Sequence, residues 1–183
     1  MRKKIALSVV ITIVLSCAAL VYAHPKFSKL RGFLVGTQEV PVVMTSGHGT
    51  FDATISKDET SISYELTYED MQSTVTQAHI HLGQPNVNGG IVVWLCGNPS
   101  ATITPPAGTQ TCPPSGTITG TILAANVNGP PAQGVTSGEI GQLIEAIRDG
   151  NTYVNVHTVV SPGGEIRSQI EPGNGKDHNH GNH

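Results

Sequence analysis

The sequence predicts a mainly β domain, an antiparallel β-sandwich or partly closed barrel, carrying one short helix. Three observations predict it. Short runs alternate apolar and polar residues with a period of two. Clusters of Gly, Pro, Asn and Asp separate these runs at the short spacing of sandwiches and barrels. One segment alone switches to a helical period. Phe, Trp and Tyr make up only 4% of the chain, so the core must rest on Val, Ile and Leu.

The first strand is expected at Phe33-Leu34-Val35, with Glu39-Val40-Pro41-Val42-Val43 continuing it beyond a Gly-Thr break. Thr50 to Ile55 places Phe51, Ala53 and Ile55 on one face, and His48 before it reads as a loop residue. Lys57-Asp58-Glu59-Thr60 is a polar turn. Ser61 to Tyr68 then alternates through Ile62, Tyr64, Leu66 and Tyr68. Gln77 to Leu82 and Ile91 to Leu95 follow, separated by the Gly/Asn/Pro loop Gly83 to Gly90. Gly116 to Leu123 alternates Thr and Ile. Thr136-Ser137-Gly138-Glu139 resembles a capping box, and Ile140, Leu143, Ile144 and Ile147 recur at i, i+3, i+4 and i+7, the stripe of a short helix. Gly150 stands where a helix stops. Thr152 to Thr158 and Glu165 to Ile170 close the domain as a hairpin around Ser161-Pro162-Gly163-Gly164.

The ends of the chain read differently. Arg2, Lys3 and Lys4 precede an apolar run from Ile5 to Leu15, and Val21-Tyr22-Ala23 resembles a cleavage site. Residues 1–23 are therefore expected to be a signal peptide, with a mature chain starting at His24. Val14-Leu15-Ser16-Cys17 also resembles a lipobox, which would put a lipid on Cys17; retention of the apolar run as an anchor is the third route. A membrane enters only by those two routes. Loss of Arg2, Lys3 and Lys4 makes the mature chain three charges more acidic than the −3 of the whole. No basic stripe remains, which argues against a nucleic-acid partner. The last residues, 173–183, are Gly, Asn, Asp and His, a composition expected to be disordered, whose His178, His180 and His183 suit loose metal binding.

Without Cys17, Cys96 and Cys112 remain, and an even pair in an oxidising compartment reads as one disulfide. Two free thiols are the alternative. A thiolate metal site fits less well, since the spacing is not C-x-x-C. Closing a loop of this size would stabilise the fold by roughly 3 kcal/mol.

Three motifs carry a resemblance. Leu34-Val35-Gly36-Thr37-Gln38-Glu39-Val40-Pro41 resembles the opening motif of chordin (CHRD) domains. Ala78-His79-Ile80-His81-Leu82-Gly83 with Asn88-Gly89-Gly90-Ile91-Val92 resembles the central one. Tyr153-Val154-Asn155-Val156-His157-Thr158 through Gly163-Gly164-Glu165-Ile166-Arg167-Ser168-Gln169-Ile170 resembles the closing one. The match spans residues 31–172, leaving 24–30 as an N-terminal segment, and the chain looks like a single-domain, exported, microbial-type member. The resemblance implies a β-sandwich-like extracellular fold, loosely similar to superoxide dismutase. It does not transfer the ligand of the animal protein. The Cys96–Cys112 stretch and the His-rich tail depart from the pattern. The form His-x-His-x-x-Gly is also similar to copper–zinc superoxide dismutase, whose other metal ligands are not recognisable here.

Histidines supply the candidate chemistry. On a strand, His79 and His81 point to the same face about 7 Å apart along the chain. His157 lies on a second strand, on the face opposite Val154 and Val156. If the strands adjoin, three imidazoles converge, a ligand set suited to zinc or copper. His24, a free N-terminus after cleavage, is an accessory candidate. Glu39, Glu165 and Arg167 are candidates for orienting the rings, or for a buried polar network that holds no ion. There is no G-x-S-x-G elbow, phosphate loop or H-E-x-x-H. Asp52, Asp58, Glu59, Glu65, Glu69 and Asp70 read as exposed edges and turns. The first expectation is thus a non-catalytic, extracytoplasmic binding or structural module (secreted, periplasmic or cell-surface) whose partner is a protein, a polymer or itself. The alternative is a copper or zinc protein using His79, His81 and His157.

Overall fold

A computed structural model of the chain describes residues 27–173. The signal segment 1–23, Cys17, His24 and the tail histidines lie outside the described residues. Nine strands form one sheet: β1 (Lys29–Val35), β2 (His48–Ile55), β3 (Ser61–Glu69), β4 (Val75–Leu82), β5 (Gly90–Gly97), β6 (Gly116–Leu123), β7 (Thr152–Thr158), β8 (Ile166–Gln169) and β9 (Glu171–Pro172). One α-helix, α1 (Ile140–Arg148), precedes β7.

The strand order is β5-β4-β7-β8-β1-β2-β3-β6, with β9 beside β1, and the pairings are antiparallel. The two outer strands, β5 and β6, come round to face each other and nearly close a barrel. Side chains close the gap where no ladder does. The Tyr64 hydroxyl on β3 donates to the Leu95 carbonyl on β5 at 3.1 Å. The Gln110 amide donates to Leu95 and Thr119 carbonyls at 3.1 and 3.2 Å, bridging β5 to β6. A disulfide joins Cys96 to Cys112 at the same gap.

Alternation decides which residues fill the barrel. In β2, Phe51, Ala53 and Ile55 are buried while Thr50, Asp52 and Thr54 are exposed. In β3, Ile62, Tyr64, Leu66 and Tyr68 are buried. Each fully buried Leu, Ile or Phe contributes about 1.5–3 kcal/mol of transfer free energy. β4 and β7 break the pattern. Ala78, Ile80, Val154 and Val156 face the core, yet His79, His81, Tyr153, Asn155 and His157 on the opposite faces are buried as well. Polar side chains this deep require partners, which makes this outer face the place to look for chemistry.

Three local expectations are corrected. The first strand begins at Lys29 and ends at Val35. Glu39–Val43 does not continue it, because a 3-10 turn at Gly36–Gln38 folds the chain back and the N–H groups of Glu39 and Val43 both donate to the Gly36 carbonyl, at 3.1 and 2.9 Å. A side chain at Gly36 would collide with the Val43 carbonyl oxygen. His48 is not a loop residue. It opens β2, opposite Glu69 on β3, with its ring 3.0 Å from that carboxylate. The capping box does not form either. Glu139 is the N-cap and has no side-chain cap bond. The Ser137 hydroxyl instead donates to the Val127 carbonyl at 3.1 Å, and the Gln142 amide oxygen accepts the Thr136 N–H at 2.7 Å. The helical stripe holds: Leu143, Ile144 and Ile147 are buried. Gly150 takes a φ of 70° after the last turn.

Candidate metal centre

The ladder register builds the site. β4 lies between β5 and β7, and β7 lies between β4 and β8. One row across the four strands reads Trp94, His79, Asn155, Arg167. The next row places His81 opposite Tyr153. His157 pairs with Gln77, so it is a diagonal neighbour of His79. Diagonal neighbours on one face come within reach when the side chains are long or cyclic. The result is that His79, His81 and His157 each offer a ring nitrogen, all within 4.8 Å of one another.

Ring geometry packs the cluster tightly. The His79 ring stands edge-on to Trp94 at 4.2 Å and to His157 at 4.9 Å between centroids. The His81 ring stacks on Tyr153 at 4.7 Å with only 2° between planes.

Hydrogen bonds define the tautomers. His157 Nδ1 lies 3.0 Å from the Pro162 carbonyl, and His81 Nδ1 lies 2.9 Å from the Gly89 carbonyl. A carbonyl only accepts, so each of these Nδ1 atoms carries the proton; His81 Nε2 then keeps a lone pair, while His157 Nε2 lies between the Asn155 amide oxygen, 3.0 Å away, and the His79 ring. His79 Nδ1 and His157 Nε2 share one hydrogen bond at 3.1 Å. His79 Nε2 and His81 Nε2 are both buried with no protein partner. An unsatisfied buried polar atom costs about 1–3 kcal/mol, so two of them in one cluster are a costly feature unless a ligand completes them.

Electrostatics keep the rings neutral. Burial, then repulsion from His157 and His81, holds His79 far below the usual imidazole range. Burial lowers His81 to about 4 against the pull of the Gly89 carbonyl. Burial also lowers His157 to about 4 against the Pro162 carbonyl. Neutral imidazole is the form that ligates metals. Bonds of 2.0–2.1 Å would set nitrogens roughly 3.3–3.6 Å apart, so an ion would have to draw the rings in from the 4.8 Å spread and replace the hydrogen bond between His79 and His157.

The three expected orienting residues make no direct hydrogen bond to the rings. Glu165 touches none of the rings. Its carboxylate accepts from Thr45 at 2.7 Å, the Gln72 N–H at 2.9 Å and Thr158 at 2.6 Å. Arg167 lies 3.4 Å from the Tyr153 ring centroid and donates to the Val87 and Gln84 carbonyls and to Asn88, at 2.9, 3.2 and 3.2 Å. It therefore braces the Gly83–Gly90 loop whose Gly89 carbonyl fixes His81. Glu39 is buried beside Arg167 and Asn155; desolvation pushes its carboxyl up to about 7 against the pull of the guanidinium. Backbone carbonyls thus do the work assigned to carboxylates. Asn155, whose amide oxygen is 3.0 Å from His157 Nε2, was missed, as were Tyr153 and Trp94. The signal was present for two of them: Tyr153 and Asn155 share the phase of His157.

A family model for the CHRD domain matches residues 31–170. No curated protein and no solved structure matches the chain. The chain belongs to the CHRD domain family. That membership and the Cys96–Cys112 disulfide both point to an extracytoplasmic setting. Among the described residues no helix is long and apolar enough to cross a membrane.

Proposed function

We propose that this CHRD domain is an exported module that binds one copper or zinc ion through His79, His81 and His157. The carrying observation is the pair of buried, partnerless Nε2 atoms on His79 and His81 in a cluster where His79, His81 and His157 each offer a nitrogen, all within 4.8 Å of one another. The Glu165 carboxylate, by contrast, has both oxygens partnered by protein groups. Of the two readings the sequence offered, the geometry favours the metal. The protein works outside the cytoplasm, as a secreted, periplasmic or cell-surface form. His24 and the tail are candidate accessory donors that could deliver ions to the buried site.

The test is metal content. The protein with His178, His180 and His183 all changed to Ala is loaded with copper or zinc, dialysed and analysed. The expected result is about one ion per chain, lost when His81 or His79 is also replaced by Ala. Retention of metal by those further variants, or none in the parent, would refute the assignment.

A further inference from the structure

This inference rests on the metal site proposed above and concerns which ion it takes. We infer that the ion held by His79, His81 and His157 is copper in its +1 state, preferred over zinc because of charge and coordination number.

The donor set is uncharged. Among the described residues no thiolate or carboxylate joins the cluster. Glu165 is engaged by Thr45, Thr158 and the Gln72 N–H, and Glu39 lies beside Arg167. The cationic Arg167 acts on His81 as well. An ion entering here keeps its full charge and meets a like charge on one side.

Burial makes that charge matter. His79, His81 and His157 are 1, 7 and 6% exposed. The cost of desolvating an ion grows with the square of its charge, so a dication pays about four times what a monocation does in the same medium. Nothing anionic in the cluster offsets it.

Coordination number points the same way. Zinc with three protein ligands completes a tetrahedron with water. Here Trp94 packs edge-on to His79 and Tyr153 stacks on His81, and neither free Nε2 reaches solvent. Monovalent copper is satisfied by three ligands and needs no water. Imidazole itself suits both metals, so charge and geometry decide.

The experiment is a paired competition at one pH, anaerobic for copper, on the full chain with His178, His180 and His183 changed to Ala. Monovalent copper competes against a Cu(I)-specific chromophoric chelator, and zinc against a zinc chromophore. Trp94, the sole Trp of the chain, reports occupancy at its neighbour His79. The expected result is saturation at one equivalent and a Kd for monovalent copper lower than that for zinc by about 100-fold or more. Zinc binding as tightly as copper would overturn this inference and leave the site standing. Binding of neither ion would overturn both.

Discussion

His81 shows how one residue serves two masters. Its ring stacks flat on Tyr153, its Nδ1 is fixed by Gly89, and its Nε2 is buried with nothing to bond. If the cluster exists for an ion, the metal-free protein should tolerate an apolar ring there. His81→Phe keeps the stack and removes one orphaned acceptor while freeing one carbonyl. Its expected cost to metal-free stability is within about 1 kcal/mol, because the two effects nearly cancel. Metal affinity should fall by at least about 100-fold, read by calorimetry alongside chemical denaturation. A loss of several kcal/mol in stability with affinity intact would identify a structural network instead. At this scale the sequence was informative about phase. Alternation alone put His79 and His81 on one face and His157 opposite Val154 and Val156. It was silent on distance, because the diagonal contact of His157 with His79 depends on the β4–β7 register, set by side chains far apart in the chain.

Loops brace the site that the ladder register builds. The Gly83–Gly90 loop gives its Gly89 carbonyl to His81, and Arg167 on β8 grips three acceptors of that loop while stacking on Tyr153. Arg167→Met should leave those acceptors bare and cost about 2–4 kcal/mol in a denaturation experiment. It should also weaken metal binding by about 10–100-fold, as loss of a ligand-orienting partner does; unchanged affinity in a folded variant would show that the loop does not position His81. Element type was legible for most strands and for the helix, since both periods are strong. Ends were less so. The Gly36 pivot and the Ser137 and Gln142 bonds at the head of α1 answer to tertiary neighbours, which local patterns do not reveal.

At the scale of the whole molecule, the three histidines make stability depend on pH. All three are held below their usual pKa in the folded protein. Below about pH 6.5 the unfolded chain binds three protons that the native state refuses, and this lasts to about pH 4, so their contribution is lost as the pH falls. Glu39 runs the other way. Its raised folded value, about 7, lets the native state hold one proton that the unfolded chain releases between about pH 4.5 and 7, which offsets roughly one histidine. The net of about two protons predicts that metal-free stability drops by on the order of 2–3 kcal/mol per pH unit near pH 5. Urea midpoints at pH 7, 6 and 5 measure this; a flat profile would mean the rings are charged or exposed. The barrel whose outer face carries them was foreseen as a class. The Cys96–Cys112 disulfide at the β5–β6 gap was expected too; the Tyr64 and Gln110 bridges beside it are tertiary contacts that no period in the sequence encodes.

The most direct measurement of the central claim is X-ray absorption at the metal edge of the loaded protein lacking the tail histidines. Three nitrogen scatterers near 2.0 Å, with the outer-shell pattern of imidazole, are expected. A first shell of oxygens, or fewer than two imidazoles, would contradict a centre built from His79, His81 and His157.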